Sequence, residues 1–199
     1  MANNLSWKLL QNSRDHAMSQ GENITREFNF ETPPIGLFEI IKAEPAIYAE
    51  GADFGDAFDG RLEYLGDKYL LVYNTKYNEE RNIQDMHPRI RFSIAHELGH
   101  YFLDEHRNIL RSGGPAYLCI TEFQSDKELE LQADYFATGL LMPSHLLSPI
   151  VNKKAEPDLT IVKNVAQQFQ VSLTSMMIRW VKLSDFPCGV FSVTNTGIE

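Results

Sequence analysis

Residues 92–100 read FSIAHELGH, and within them His96, Glu97 and His100 form the pattern His-Glu-x-x-His. Residues four apart on an α-helix lie on one face, so His96 and His100 can place two imidazole nitrogens on one metal ion. Glu97 stands at the edge of that face, where its carboxylate can take a proton from a metal-bound water. The spacing therefore predicts a metal-binding helix that carries its own base.

The flanking residues predict that this helix is buried along most of its surface. When the helix is wound at about 100° per residue, its polar side chains share one arc about a quarter-turn wide. Apolar residues occupy nearly all other positions, with Arg91 as the exception. Such a helix is expected to belong to the core and to line a cleft with its polar arc. The arc contains Arg89, Ser93, His96, Glu97, His100 and Asp104.

The composition suits one domain, or one domain with a small appendage. The chain has 199 residues, of which 43% are hydrophobic, enough for a sizeable core. A net charge of −9 and a pI of about 5.1 favour a cytoplasmic protein and argue against a broad nucleic-acid-binding surface. Cys119 and Cys188 fit no disulfide framework. The sequence shows neither a signal peptide nor an apolar run long enough to span a membrane.

The pattern before the metal-binding helix predicts a small sheet and an α+β fold. Two apolar-rich runs, residues 60–65 and 68–74, flank the pair Gly66-Asp67. A glycine-first pair between such runs predicts a hairpin with a type II′ turn. We therefore expect a zincin-like core in which a small antiparallel sheet or hairpin packs on the His-Glu-x-x-His helix.

Further helices are predicted on both sides of this core. Weak periodicity near Trp7 suggests a short helix, and Pro33-Pro34 indicates the start of another. A capping box beginning at Ser125 predicts a helix that ends before Pro143. Two more helices with a tight turn between them form a helix-turn-helix-like outline. The expected division is residues 1–32 as an N-terminal extension, 33–152 as the core, and 153–199 as that helical segment and a C-terminal strand.

A catalytic zinc site needs a third protein ligand and one open position, and the sequence offers two candidates. His106 lies six residues after His100, as in the metzincin signature, but that signature has glycine where Leu103 stands. Glu130 lies on the helix after Ser125, with Asp134 one turn further, where a carboxylate could orient a ligand imidazole through its other nitrogen. Glu130 would leave the site with a formal charge of about +1.

Three stretches carry a resemblance to a known family. They are residues 89–100 (RIRFSIAHELGH), 130–137 (ELQADYFA) and 140–143 (LLMP). Together they resemble the ImmA/IrrE family of metallopeptidases, which are of the HExxH-plus-Glu type. The family often has His where this chain has Asp104, and Asn where it has Asp134.

The resemblance implies a zinc metallo-endopeptidase, with His96, His100 and Glu130 as zinc ligands and Glu97 as catalytic base. It also implies a substrate, a helix-turn-helix (Xre-type) repressor whose cleavage derepresses stress or mobile-element genes. Two rival functions stay open: a non-proteolytic zinc-containing regulator that binds a partner repressor, and a DNA-binding factor built on residues 159–183. Glu97 argues against the first, since a structural site needs no base. The scarcity of cations in that segment argues against the second.

Two roles are left open by residue type alone. The donor that stabilises the developing oxyanion has four candidates, and Cys119 is either a redox sensor, a fourth ligand or a small buried hydrophobe. The four donor candidates are Tyr117, His87, His106 and Arg61.

Overall fold

A computed structural model describes residues 2–78, 86–113, 117–119, 127–153, 158–191, 193–194 and 197–198. Within these ranges the chain forms helices and strands in the proportions of an α+β protein, which confirms the expected fold class. In chain order they are α1 (Ala2–Glu27), α2 (Leu37–Ala43), β1 (Ile47–Ala52), β2 (Gly60–Tyr64), β3 (Tyr69–Asn74), α3 (Pro88–Phe102), α4 (Asp104–Arg111), β4 (Tyr117–Cys119), α5 (Lys127–Leu141), α6 (Ser144–Val151), α7 (Leu159–Phe169), α8 (Leu173–Leu183), β5 (Val193–Thr194) and β6 (Gly197–Ile198).

Four strands form one mixed sheet in the order β1-β3-β2-β4. β2 and β3 form the predicted hairpin, and Gly66 lies in its turn at φ +95°, a conformation that favours glycine. β1 pairs with β3 in parallel, so the sheet is not purely antiparallel as expected. The reason is that the loop at residues 53–59 reverses the chain between β1 and β2, and β3 then inserts between those two strands.

Helix α3 lies at the centre of the molecule, in contact with the sheet on one side and α5 on the other. Pro88 occupies its first turn, and the side chain of His87 accepts a hydrogen bond from the backbone N–H of Arg89. Arg91, which interrupts the apolar pattern, is buried as well, and its guanidinium donates to the carbonyl of Ile35 at 2.8 Å. The prediction of a core helix with one polar face therefore holds.

The polar arc is shorter than the sequence pattern predicts, because α3 ends at Phe102. Leu103 has an extended backbone (φ −76°, ψ 115°) and turns the chain into α4. Asp104 therefore opens α4 as an exposed residue that pairs with Arg107, instead of extending the arc. The turn also brings His106 back under α3.

Helix α1 runs for 26 residues, where the sequence suggested only a short helix. It packs along α5 through glycines. A Cβ on Gly21 would come within 2.3 Å of a carbonyl oxygen of α5, and one on Gly139 within 2.1 Å of a carbonyl oxygen of α1. The buried face of α1 includes Ala17, Gly21 and Thr25, small residues that contribute little to hydrophobic periodicity. This explains why the pattern understated the helix.

The remaining helices agree with the sequence in kind, though not at every boundary. α2 begins at Leu37, after Gly36, and not at Pro33-Pro34. α5 ends at Leu141 as predicted, while the capping residue Ser125 lies outside the described residues. None of the described helices combines the length and the apolar character that a membrane crossing requires. The three-part division of the chain stays a prediction.

Candidate metal centre

The structure brings His96, His100 and Glu130 to one point. One ligand-type atom from each lies within 4.8 Å of the others. His96 Nε2 is 3.1 Å from His100 Nε2 and 3.1 Å from Glu130 Oε2. Both imidazoles are buried, whereas the Glu130 side chain keeps 23% of its surface exposed. The donor atoms therefore converge at one largely buried point, with Glu130 as its partly exposed member.

Small residues allow α3 and α5 to approach closely enough for this convergence. A Cβ on Gly99 would lie 3.2 Å from the Cα of Ala133, and Ala133 and Ala137 are fully buried. Glu130 and Asp134 are one turn apart on the face of α5 that meets α3. Both carboxylates consequently reach His96.

His96 is oriented by the carboxylate of Asp134. Its Nδ1 lies 2.9 Å from Asp134 Oδ1, on the side of the ring away from His100. A carboxylate accepts hydrogen bonds, so Nδ1 carries the proton and donates it, which leaves Nε2 directed at Glu130 and His100. This is the contact that the sequence predicted for Asp134.

The charges at this point favour a cation. Burial alone would lower the pKa of His96, but hydrogen bonds to Asp134 and Glu130 outweigh it and raise that pKa to about 10. Burial would raise the pKa of Glu130, but hydrogen bonds with the two histidines hold it well below its usual range. Burial lowers the pKa of His100 to about 3, so this imidazole stays neutral. Two carboxylates thus stabilise one positive charge beside a neutral imidazole.

Glu97 is completely buried, and neither of its carboxylate oxygens has a hydrogen-bond partner among the described residues. Burial raises the pKa of Glu97 to about 8. The carboxylate lies against Gly60 of β2, where a Cβ would come within 2.8 Å of Glu97 Oε1. The absence of a side chain at Gly60 therefore makes the space that Glu97 occupies.

Asn74, at the end of β3, organises the loop that precedes Gly60. This side chain is 1% exposed, its amide nitrogen donates to the carbonyls of Gly55 and Phe58, and its oxygen accepts from the N–H of Phe54. Gly60 is thus held over Glu97 by a fully bonded amide. The role of Asn74 and that of Gly60 were missed in the sequence, although a glycine that opens a strand is a signal for close approach.

Of the two candidates for a third ligand, the structure places Glu130 and not His106 beside the imidazole pair. His106 lies behind His100, with 2.9 Å between their Nδ1 atoms. Among the candidate oxyanion donors, Arg61 pairs with Glu63 and His87 caps α3. The side chains of Tyr117 and Cys119 lie outside the described residues. The roles predicted for the site residues stay predictions.

A cavity of about 580 Å³ lies between the start of α3, the end of α5 and the start of α8. Its lining is mainly apolar and includes Phe92, Leu141, Met142 and Leu173. Phe92 lies one helical turn before His96, with 6.4 Å between the centroids of the two rings. An apolar side chain of a bound peptide would fit a space of this size.

The donor set fits a zinc ion. Two imidazoles, each neutral when it binds the metal, and one carboxylate are a ligand set of catalytic zinc sites, and a positive charge is favoured where these three side chains meet. The orphaned carboxylate of Glu97 and the space left by Gly60 are further features that a structural zinc site does not need. The fold and this donor set together define a metallopeptidase-like metal centre.

Residues 62–180 match the Peptidase_M78 family, described as the IrrE N-terminal-like domain. The match covers more than half of the chain, and the chain belongs to this family, which confirms the resemblance found in the sequence. A Mycobacterium tuberculosis transcriptional regulator of known structure is similar, with a TM-score of 0.52 and 15% identity over 85% of this chain and 50% of that chain. That likeness shows a shared fold, and the chain spans about half the length of the regulator. No curated protein matches the chain in sequence.

Replacing the carboxylate ligand is expected to empty the site of metal. Glu130→Ala removes one of three donors and the partner of His96 Nε2, so the purified variant should hold clearly less zinc than the wild type. Elemental analysis of protein purified without chelator measures this. Glu128→Ala, two residues earlier on α5, serves as the control, because Glu128 pairs with Arg14 outside the site. Full zinc retention in Glu130→Ala would contradict the assigned ligand set.

Filling the space at Gly60 is expected to displace the Glu97 carboxylate while sparing the metal. Gly60→Ala should lower turnover by about 10- to 100-fold, because a small misplacement of a reacting group has effects of this size. Zinc content should not change, since Gly60 contacts none of the three donors. Gly189→Ala is the matched control, because its added Cβ meets only ordinary contacts at 3.4 Å or more. Unchanged turnover in Gly60→Ala would show that Glu97 needs no such space.

Proposed function

We propose that the chain is a zinc-dependent endopeptidase that cleaves a helix-turn-helix (Xre-type) transcriptional repressor and thereby derepresses stress or mobile-element genes. The observation that carries this proposal is the buried Glu97 carboxylate beside His96, His100 and Glu130. An unpaired buried carboxylate lowers stability, so a site that only holds a metal for structure has no use for one. A hydrolytic site does need it, as a base.

His96, His100 and Glu130 would hold zinc, which supplies Lewis acidity toward water and a peptide carbonyl. Glu97 accepts the proton of the attacking water and returns it to the nitrogen of the leaving amine. Asp134 keeps the His96 ring oriented. The space left at Gly60 accommodates the Glu97 carboxyl group, which transfers the proton.

The substrate part of the proposal has coarser support. The family contains metallopeptidase-like domains, and the similar solved structure is that of a transcriptional regulator. A repressor protein as substrate agrees with both. The apolar cavity next to Phe92 would receive a side chain of the bound peptide near the cleaved bond.

The DNA-binding alternative is disfavoured by where the cations of α7 and α8 lie. Arg179 is buried and forms an ion pair with Glu22, so it cannot reach a phosphate. Lys182 lies over the ring of Tyr135 at 4.8 Å. With Arg179 buried and a net charge of −9 on the chain, Lys163 and Lys182 are too few cations to form the basic surface that DNA binding requires.

Terminal-amine labelling of a cell extract from the source organism tests the proposal. Zinc-loaded protein should create new N-termini within a helix-turn-helix repressor, and neither Glu130→Ala nor chelator-treated protein should create them. New termini confined to other classes of protein would overturn the substrate, but not the activity. Zinc-loaded protein that creates no new termini and still binds a repressor would favour the non-proteolytic regulator.

A further inference from the structure

A buried chain of hydrogen bonds runs from His100 away from the metal centre. His100 Nδ1 is 2.9 Å from His106 Nδ1, and His106 Nε2 is 3.1 Å from Gln132 Oε1. Both histidines are fully buried, and Gln132 is 8% exposed. The three residues come from α3, α4 and α5, so the chain joins all three helices around the site.

The protons of this hydrogen-bond chain can be arranged in two ways, because each neutral imidazole has one donor and one acceptor nitrogen. A neutral imidazole carries one N–H, so one of its nitrogens donates and the other accepts. When the Gln132 carbonyl accepts from His106 Nε2, His106 Nδ1 must accept from His100 Nδ1, and His100 Nε2 keeps a lone pair. When the Gln132 amide is turned, its nitrogen donates to His106 Nε2, and His106 Nδ1 then donates to His100 Nδ1. His100 Nε2 then carries the hydrogen of that ring and cannot bind a metal.

The structure has the carbonyl oxygen of Gln132 toward His106, which is the first arrangement. We propose that His106 and Gln132 are positioning residues that hold His100 in its metal-binding tautomer and orientation. The inference rests on the proposed metal centre and deepens it. The carboxylate of Asp134 supports His96, whereas two neutral side chains, His106 and Gln132, support His100. The support of His100 therefore adds no second negative charge beside the metal centre.

The same inference explains the spacing that resembles a metzincin signature. Leu103 ends α3 and lets α4 fold back, which puts His106 on the far ring nitrogen of His100 instead of on the metal side. A histidine six residues after the second ligand therefore supports that ligand here and does not replace Glu130.

Zinc affinity, measured by competition with a chromogenic chelator, tests the proposal. His106→Leu removes the acceptor for His100 and should raise the zinc Kd by about 10- to 100-fold. Gln132→Leu should raise the zinc Kd by a smaller factor. His106→Asn places an acceptor oxygen near the Nδ1 position and should stay within about threefold of the wild type. Leu110→Val, buried on the same face of α4, reports the effect of loosening that helix and should leave the Kd unchanged.

Equal zinc affinity in His106→Leu and the wild type, or an equal loss in Leu110→Val, would overturn the proposal. A second measurement reads the tautomer directly. In zinc-loaded protein labelled with ¹⁵N-histidine, NMR should find the His106 proton on Nε2, and a proton on Nδ1 would overturn the proposal as well. These outcomes are independent of proteolysis. A wild type that binds no zinc would instead refute the metal centre on which the proposed function depends.

Discussion

Glu97→Gln is expected to abolish hydrolysis while leaving zinc in place. The amide has nearly the same shape as the carboxyl group but cannot accept a proton, and general-base catalysis contributes about 10²- to 10⁴-fold to a rate. Because Glu97 lies beside the three donors and is not one of them, the metal content should not change. The measurements are the cleavage rate of the repressor found by terminal labelling and the zinc content of the same sample.

The stability of this variant provides an internal check. In the wild type both Glu97 oxygens are buried with no hydrogen-bond partner in the described part of the chain, which is unfavourable, so a neutral side chain of the same shape should leave the melting temperature unchanged or higher. Glu50→Gln, an exposed change on β1, is the control for loss of a negative charge. A Glu97→Gln protein that cleaves at the wild-type rate would remove the base from the mechanism.

Glu22→Ala is expected to cause a large loss of stability. Glu22 of α1 lies 2.6 Å from Arg179 of α8 and also accepts hydrogen bonds from the backbone and side chain of Ser144. The Arg179 side chain is only 4% exposed. Removal of one partner leaves a buried charge unpaired, which costs about 3–5 kcal/mol. Urea unfolding monitored by circular dichroism measures this loss.

Two comparisons separate the unpaired charge from the loss of a contact. The double variant Glu22→Leu with Arg179→Met should recover much of the lost free energy, because an apolar pair replaces the ion pair. Arg14→Ala breaks the partly exposed ion pair between α1 and α5 and should cost no more than about 1 kcal/mol. A loss in Glu22→Ala no greater than that in Arg14→Ala would contradict the argument.

Much of the metal centre could be predicted because its key contacts are local. His96, Glu97 and His100 lie within one and a half turns of one helix, so helix geometry alone places them together. The pairing of Glu130 with Asp134 follows the same rule within α5. The hairpin of β2 and β3 was predictable for a similar reason, since the two-residue turn at Gly66 determines its register.

Other parts of the site could not be predicted, because they depend on contacts between distant segments. Gly60 and Glu97 are 37 positions apart in the sequence, and the residues that flank each of them give no sign that the two are in contact. His106 was considered only as a possible ligand or oxyanion donor, since its role as partner of His100 depends on the turn at Leu103. The packing of α1 was missed because its contact surface is built from glycine and other small residues.

The sequence by itself determined that the chain is an α+β protein of the Peptidase_M78 family, and it predicted His96, His100, Glu130 and Glu97 as the residues of the metal centre. It did so because helix and hairpin periodicities are properties of neighbouring residues. Only the tertiary structure decided that His106 lies behind His100, that β1 joins the sheet in parallel, and that Gly60 makes room for Glu97. Those outcomes depend on how closely helices and strands from distant parts of the sequence pack. Such contacts form only when the whole chain has folded, so no local pattern predicts them.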